Sequence, residues 1–224
     1  MSVLRYFGVI TGKLSEPKQI SDKQFSKIPD LIRNSFRKVN AILESEDQFE
    51  YEIIRMDEFI GKIGNPGSCV SKIMMLLSAY RSISDAVLGI KTELKISLGV
   101  GPVEFLQNQL RESDGTAFRL AISGLNSLKR TQRIIISTTD ENINDEFKVT
   151  CSFMDIIIRE WSDEQAEAIF LKLTGKNQIE ISKQLGISQP AVNRRLKAAH
   201  FDATDLFIKR SVRLLSVPIQ PVKP

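Results

Sequence analysis

Residues 161–200 read WSDEQAEAIFLKLTGKNQIEISKQLGISQPAVNRRLKAAH, and few folds accommodate this run. Polar cap residues and two glycines cut it into three short helices. Ser162 with Gln165, and Asn177 with Glu180, have capping-box spacing, in which each side chain answers an orphan backbone N–H at the helix start. Gly175 and Gly186 supply the left-handed residue that ends a helix. Ser188 caps the third helix, and Pro190 fits its first turn, where no N–H is needed. Ile181, Leu185, Val192 and Leu196 fall on inward positions, and Ile187 plugs the core from the turn.

A helix, a tight glycine turn and a second helix with an inward apolar residue in the turn have helix-turn-helix spacing. The outward positions of the last helix are Ser188, Gln189, Ala191, Asn193, Arg194, Arg195 and Lys197. Gln and Asn match the adenine edge, and Arg matches guanine. The N-terminal half of such a helix meets the bases, so Gln189, Asn193 and Arg194 are the expected base contacts. Lys183, Arg195 and Lys197 are the expected phosphate contacts. The same helical period also serves modules that bind protein. Charge favours nucleic acid: between 172 and 213 there are nine lysines and arginines and three acids. Double-stranded DNA is the expected partner, and duplicated half-sites imply a homodimer.

The whole chain carries a formal charge of +4, which permits an anionic partner without demanding one. Its 224 residues, 42% hydrophobic, can bury a sizeable core. His200 is the only histidine, which excludes histidine-based zinc clusters and disfavours a Ser–His–Asp triad. Cys69 and Cys151 are too sparse for a disulfide framework and fit a reducing, cytoplasmic setting. No apolar run is long enough to span a membrane, and the N-terminus does not read as a signal peptide. No cofactor is expected.

Upstream, LRYFGVI, QFEYEII, FIGKI, ELKISLGVG and RIIIS read as strands. Helices are expected over 29–44, 68–83, 115–128 and 142–159. The first six elements follow β-α-β-β-α-β, the order of the ferredoxin-like fold, an antiparallel sheet with helices on one face. The fold class is therefore α+β, with a sheet domain over 1–150, a connecting helix over 151–160, an all-α module over 161–212 and a flexible Pro-rich tail over 213–224. Within the connecting helix, Phe153 and Ile157 are candidates for a partner surface, although core packing is the favoured reading.

The stretch EIIRMDEFIGKI at 52–63 is a hairpin with Asp57 and Glu58 near its tip. Paired acids there suggest divalent metal chemistry. Other local signals carry less. TGKLS lacks the spacing and the Ser/Thr of a phosphate-binding loop, GVG at 99–101 lacks a third glycine, and SDGTAF at 113–118 reads as a helix cap by Ser113 or Asp114.

Four stretches in order, VITGKLSEPKQI (9–20), RMDEFIG (55–61), SLGVGPVEF (97–105) and SDGTAFRLA (113–121), resemble the SatD family. That family is itself reminiscent of nucleotidyl-cyclase and GGDEF-type catalytic domains. The C-terminal module resembles the helix-turn-helix of sigma-factor region 4. The resemblance implies a cyclase-like domain with one metal-binding Asp after the first strand and another acid at the hairpin. Here Lys13 stands where the first Asp is implied, and Met56, after Arg55, replaces the glycine before the hairpin acid. A protonated lysine does not ligate Mg²⁺, and methionine obstructs close approach of phosphate to backbone. Lys13 is expected to pair with Asp57, or to form with Arg55, Asp57 and Glu58 a pocket for a nucleotide or other anion. The expected function is a DNA-binding transcriptional regulator with a catalytically inactive sensing or dimerisation domain. A divergent metal-dependent nucleotide-processing enzyme and an RNA-polymerase-associated protein-binding module are the alternatives.

Overall fold

Alternation along β1 (Tyr6–Ser15) organises the sheet. Ile10 and Leu14 point into the main core, whereas Val9 and Thr11 point to the opposite face. A computed structural model describes residues 6–15 and 20–216. After β1 come the short α1 (Asp22–Phe25), α2 (Ile28–Asn40), β2 (Glu50–Ile53), β3 (Glu58–Ile63), α3 (Cys69–Leu88) and β4 (Glu93–Pro102). Then follow α4 (Thr116–Ser127), β5 (Ile134–Thr138) and α5 (Glu141–Glu160). The chain continues as α6 (Asp163–Leu173), α7 (Gln178–Leu185), α8 (Gln189–Ala198) and α9 (Phe201–Leu215). Among the described residues, no helix is long and apolar enough to cross a membrane.

The protein is a mixed α/β structure with a five-stranded sheet in the order β2-β3-β1-β4-β5. β1 runs antiparallel to both β3 and β4, and β2 runs antiparallel to β3. β5 departs from the expected all-antiparallel sheet by pairing parallel to β4. A parallel neighbour needs a crossover, and α4 provides it. α4 lies on the Val9 and Ile60 face, where Ala117, Phe118 and Ala121 are buried. α2, α3 and α5 bury their apolar stripes with Ile10, Leu98 and Ile136 on the other face. Helices therefore cover both faces, not one as the sequence suggests.

α4 sits unusually close to the sheet. Thr11 donates its hydroxyl to the Ala121 carbonyl at 3.0 Å. A Cβ at Gly99 would come within 2.2 Å of the Ala117 carbonyl oxygen and 2.5 Å of the Ala121 nitrogen. Both are backbone atoms and cannot swing away. Gly99→Ala is therefore expected to destabilise the fold by about 1–3 kcal/mol, the cost of overpacking. Urea unfolding at constant m-value measures this. The expected caps Ser113 and Asp114 do not start α4. Glu104 does so instead, accepting from the Thr116 N–H at 2.8 Å and from its hydroxyl at 2.9 Å.

Other boundaries shift for local reasons. α2 stops at Asn40, whose side-chain amide bonds both the N–H and the carbonyl of Phe49 and ties the helix end to the approach of β2. α3 runs on to Leu88 and ends at the left-handed Gly89. α5 is one 20-residue helix, so the expected connector at 151–160 is its second half. α9 continues to Leu215, past the expected start of the tail at 213, because Ser211 and Leu215 are buried. The rest of that tail, 217–224, lies outside the described residues. Cys69 and Cys151 are both free and buried, and desolvation pushes the Cys69 thiol up to about 12.

The C-terminal helices share the sheet domain's core. One cluster of buried side chains runs from Ile10 through Phe170 to Leu215. Trp161 lies at the junction, almost fully buried, and donates its indole N–H to the Ala199 carbonyl at 3.1 Å. Arg81 of α3 donates to the Trp161 carbonyl at 3.1 Å. The same guanidinium lies 2.8 Å from Asp85 and 2.7 Å from Asp163 at the start of α6. Lys38 of α2 sits over the Phe170 ring, 4.6 Å from its centroid, and burial pulls its ammonium below the usual lysine range.

Candidate nucleic-acid interface

Local chemistry sets α7 and α8. Asn177 accepts from the N–H groups of Ile179 and Glu180, and Glu180 reaches back to the Asn177 N–H at 2.7 Å. Gly186 adopts φ 65° and ψ 30° and ends α7, in the region where glycine carries no steric cost. Ser188 accepts from the Ala191 N–H and starts α8, with Pro190 in the first turn. Ile181, Val192 and Leu196 are buried, and Leu185 and Ile187 pack against the core at its edge. His200 links α8 to α9 with φ 53°, a left-handed conformation that histidine tolerates better than branched residues.

α8 presents Ser188, Gln189, Arg194 and Lys197 to solvent, and Lys183 of α7 is also exposed. Two of the expected contacts are less free. Asn193 is half-buried, and its Oδ1 accepts from Gln178 Nε2 at 3.4 Å. Gln189 Nε2 in turn donates to Gln178 Oε1 at 3.5 Å. Gln178 therefore bridges the two expected adenine readers from the first turn of α7. Sequence reading missed this role, since it depends on how α7 crosses α8 and not on any local spacing. Both bonds are long, so a base edge competes with them at little cost. Arg195 is half-buried beside α6. The Glu164 carboxyl is held below the ordinary glutamate range, first by the Ser162 hydroxyl, with Arg195 contributing a smaller pull. Of the predicted phosphate contacts, Lys183 and Lys197 are the exposed ones.

The second candidate site, at the hairpin, is brought together differently from the expectation. The register pairs Lys13 with Glu58 on β3 and with Lys95 on β4. Asp57 contributes its backbone carbonyl, which accepts from the Leu14 N–H at 3.0 Å. Among the described residues, no ion pair joins Lys13 to Asp57. Arg55, exposed at the tip, lies 3.6 Å from Glu58. A tight turn closes the tip, with the Glu58 N–H donating to the Arg55 carbonyl at 3.3 Å. Lys95 is buried and donates to the Lys129 carbonyl at 3.0 Å. This donor set does not fit a two-metal centre: Lys13 stands directly across from Glu58, Arg55 already engages that acid, and no third acid, histidine or cysteine joins the pair among the described residues.

No family model and no curated protein matches the chain. Among solved structures, it is similar to the crystal structure of the guanylyl cyclase Cya2, at 15% identity and a TM-score of 0.40. That match covers 59% of this chain and 75% of the cyclase chain, and a likeness at this score carries no argument about fold or activity.

Proposed function

We propose that the chain is a DNA-binding transcriptional regulator. In this reading, α7 and α8 form a helix-turn-helix, and α8 enters the major groove. The observation that carries it is the division of α8 into two sides. Val192 and Leu196 anchor one side in the core, while Gln189, Arg194 and Lys197 stand exposed with Asn193 at their border. These are donors and acceptors of the kind that read base edges and phosphates. The sheet domain is read as a ferredoxin-type, cyclase-like platform without catalytic activity, serving sensing or dimerisation. Its β2-β3-β1-β4 antiparallel order supports the fold, and Lys13 at the end of β1, with Lys95 across from it on β4, supports the loss of metal chemistry.

Titration of the purified protein with duplex DNA at several salt concentrations tests the reading. Affinity is expected to fall steeply with salt, with a log–log slope of about −0.9 per phosphate neutralised. A selection from randomised duplexes should return a short motif. Absence of binding even at low salt would sink the proposal and favour a protein-binding module.

A further inference from the structure

α5 carries two apolar stripes where a surface helix ordinarily carries one. Phe147, Cys151, Met154 and Ile158 form the inner stripe, buried in the core that contains Ile134 and Ile136 of β5. Val149, Phe153 and Ile156 form an outer stripe, two residues on and so about 200° around the helix. They are 57%, 64% and 54% exposed. Phe153 therefore faces outward, against the core packing favoured from sequence, while Ile157 is half-buried. Phe153 of this stripe also forms one wall of a groove of about 300 Å³ between α5 and α9, together with Thr150, Ile157, Leu206, Phe207 and Arg210. Leu206 at its edge is 68% exposed. The Arg210 guanidinium grips both Glu146 carboxylate oxygens, at 2.6 and 2.7 Å, and fixes α9 against α5.

We propose that this face binds a second copy of the chain through antiparallel packing of α5 on α5. Three observations favour a second copy over another partner. The spacing 149, 153, 156 is the four-three alternation of knobs-into-holes packing, so the occupant is a helix. Exposed Phe153 and Leu206 stand on the two walls of the groove, so the face offers both ridges and a cleft, the self-complementarity a two-fold interface requires. Charge also matches. Antiparallel packing that seats Val149 beside Phe153 of the other copy brings exposed Asp145 level with Ile157 of that copy, two residues or about 3 Å along the axis from half-buried Arg159, which lies 3.7 Å from Glu160 of its own chain. Two-fold symmetry repeats the pair, and both pairs flank the apolar seam where such charges choose orientation.

The inference deepens the reading as a paired DNA binder, but its test needs no DNA. Sedimentation equilibrium of the full chain is expected to give a dimer. Phe153→Asp should raise the dissociation constant about thirtyfold or more, as loss of a central anchor does. Asp145→Arg and Arg159→Asp should each weaken the dimer, by about five- to tenfold, and the double variant should recover most of the loss. Urea midpoints for each variant separate misfolding from dissociation, since Phe153 and Asp145 are exposed and Arg159 is only half-buried. A monomer at all concentrations overturns the proposal, as does a dimer indifferent to Phe153→Asp or a charge swap without recovery. A dimer that binds no DNA would instead sink the functional reading and leave this interface standing.

Discussion

Replacing Arg81 by methionine is expected to destabilise the protein by about 3 kcal/mol, towards the lower end of what breaking a buried ion pair costs. The guanidinium joins Asp85, Asp163, the Trp161 carbonyl and Ser84. Its removal leaves two neighbouring carboxylates without their shared cation. The side chains of Asp85 and Asp163 remain 34% and 28% exposed, and this solvent contact keeps the loss below the upper end. The deficit should shrink on acidification. Burial, with Asp85 beside it, already raises the Asp163 carboxyl above its ordinary value, although Arg81 opposes this. A raised carboxyl is favoured in its protonated form by the fold. Its stabilising contribution is thus present below the ordinary aspartate range and lost as pH rises through the raised value. Without Arg81 the Asp163 carboxyl shifts further in that direction, so the gap to wild type is widest near neutrality. Urea unfolding at pH 7 and pH 4 measures this. Arg81→Lys keeps the charge but not the fork, and should recover only part of the loss. An equal deficit at both pH values would overturn the electrostatic account.

The second large effect concerns DNA. On the proposed reading, in which Arg194 contacts a base, Arg194→Ala is expected to weaken binding to a selected sequence by about 1–3 kcal/mol, with little change on unrelated duplexes. Lys197→Ala should weaken binding to all sequences alike and reduce the salt slope by about 0.9. Asn193→Ala should behave like Arg194→Ala. Gln178→Ala is predicted to give a smaller loss, since it would free Asn193 and Gln189 without removing either. Parallel titrations of specific and non-specific duplexes separate these outcomes. If Arg194→Ala lowers both affinities equally, α8 is not reading bases.

What could be read in advance divides by range. The starts of α6, α7 and α8 rest on side chains three residues from their targets, and Ser162, Asn177 and Ser188 announce them. The hairpin turn is similarly local. Lys13 stands across from Glu58 and not Asp57, because a one-residue difference in register exchanges the two acids and reverses the face presented. The parallel pairing of β5 depends on α4 crossing to the second face, which the close approach at Gly99 permits and no periodicity signals. Trp161 and Arg81 are 80 residues apart. Nothing local shows that they meet, yet they hold the junction. Gln178 is a helix-start residue by sequence and a bridge only by tertiary packing.

That junction has a further consequence. With Trp161 and Phe170 inside a core common to both halves, no slack separates the sheet from α8. In the proposed two-fold dimer the distance between the two copies of α8, the proposed recognition helices, is then a constant of the molecule, as in a ruler with fixed marks. DNA sites should tolerate very little variation in half-site spacing. An inserted base pair moves the second half-site along the duplex and also turns it around the axis, by about a tenth of a helical turn. A tethered module would absorb that error by stretching its linker; this one would have to bend the DNA or let go.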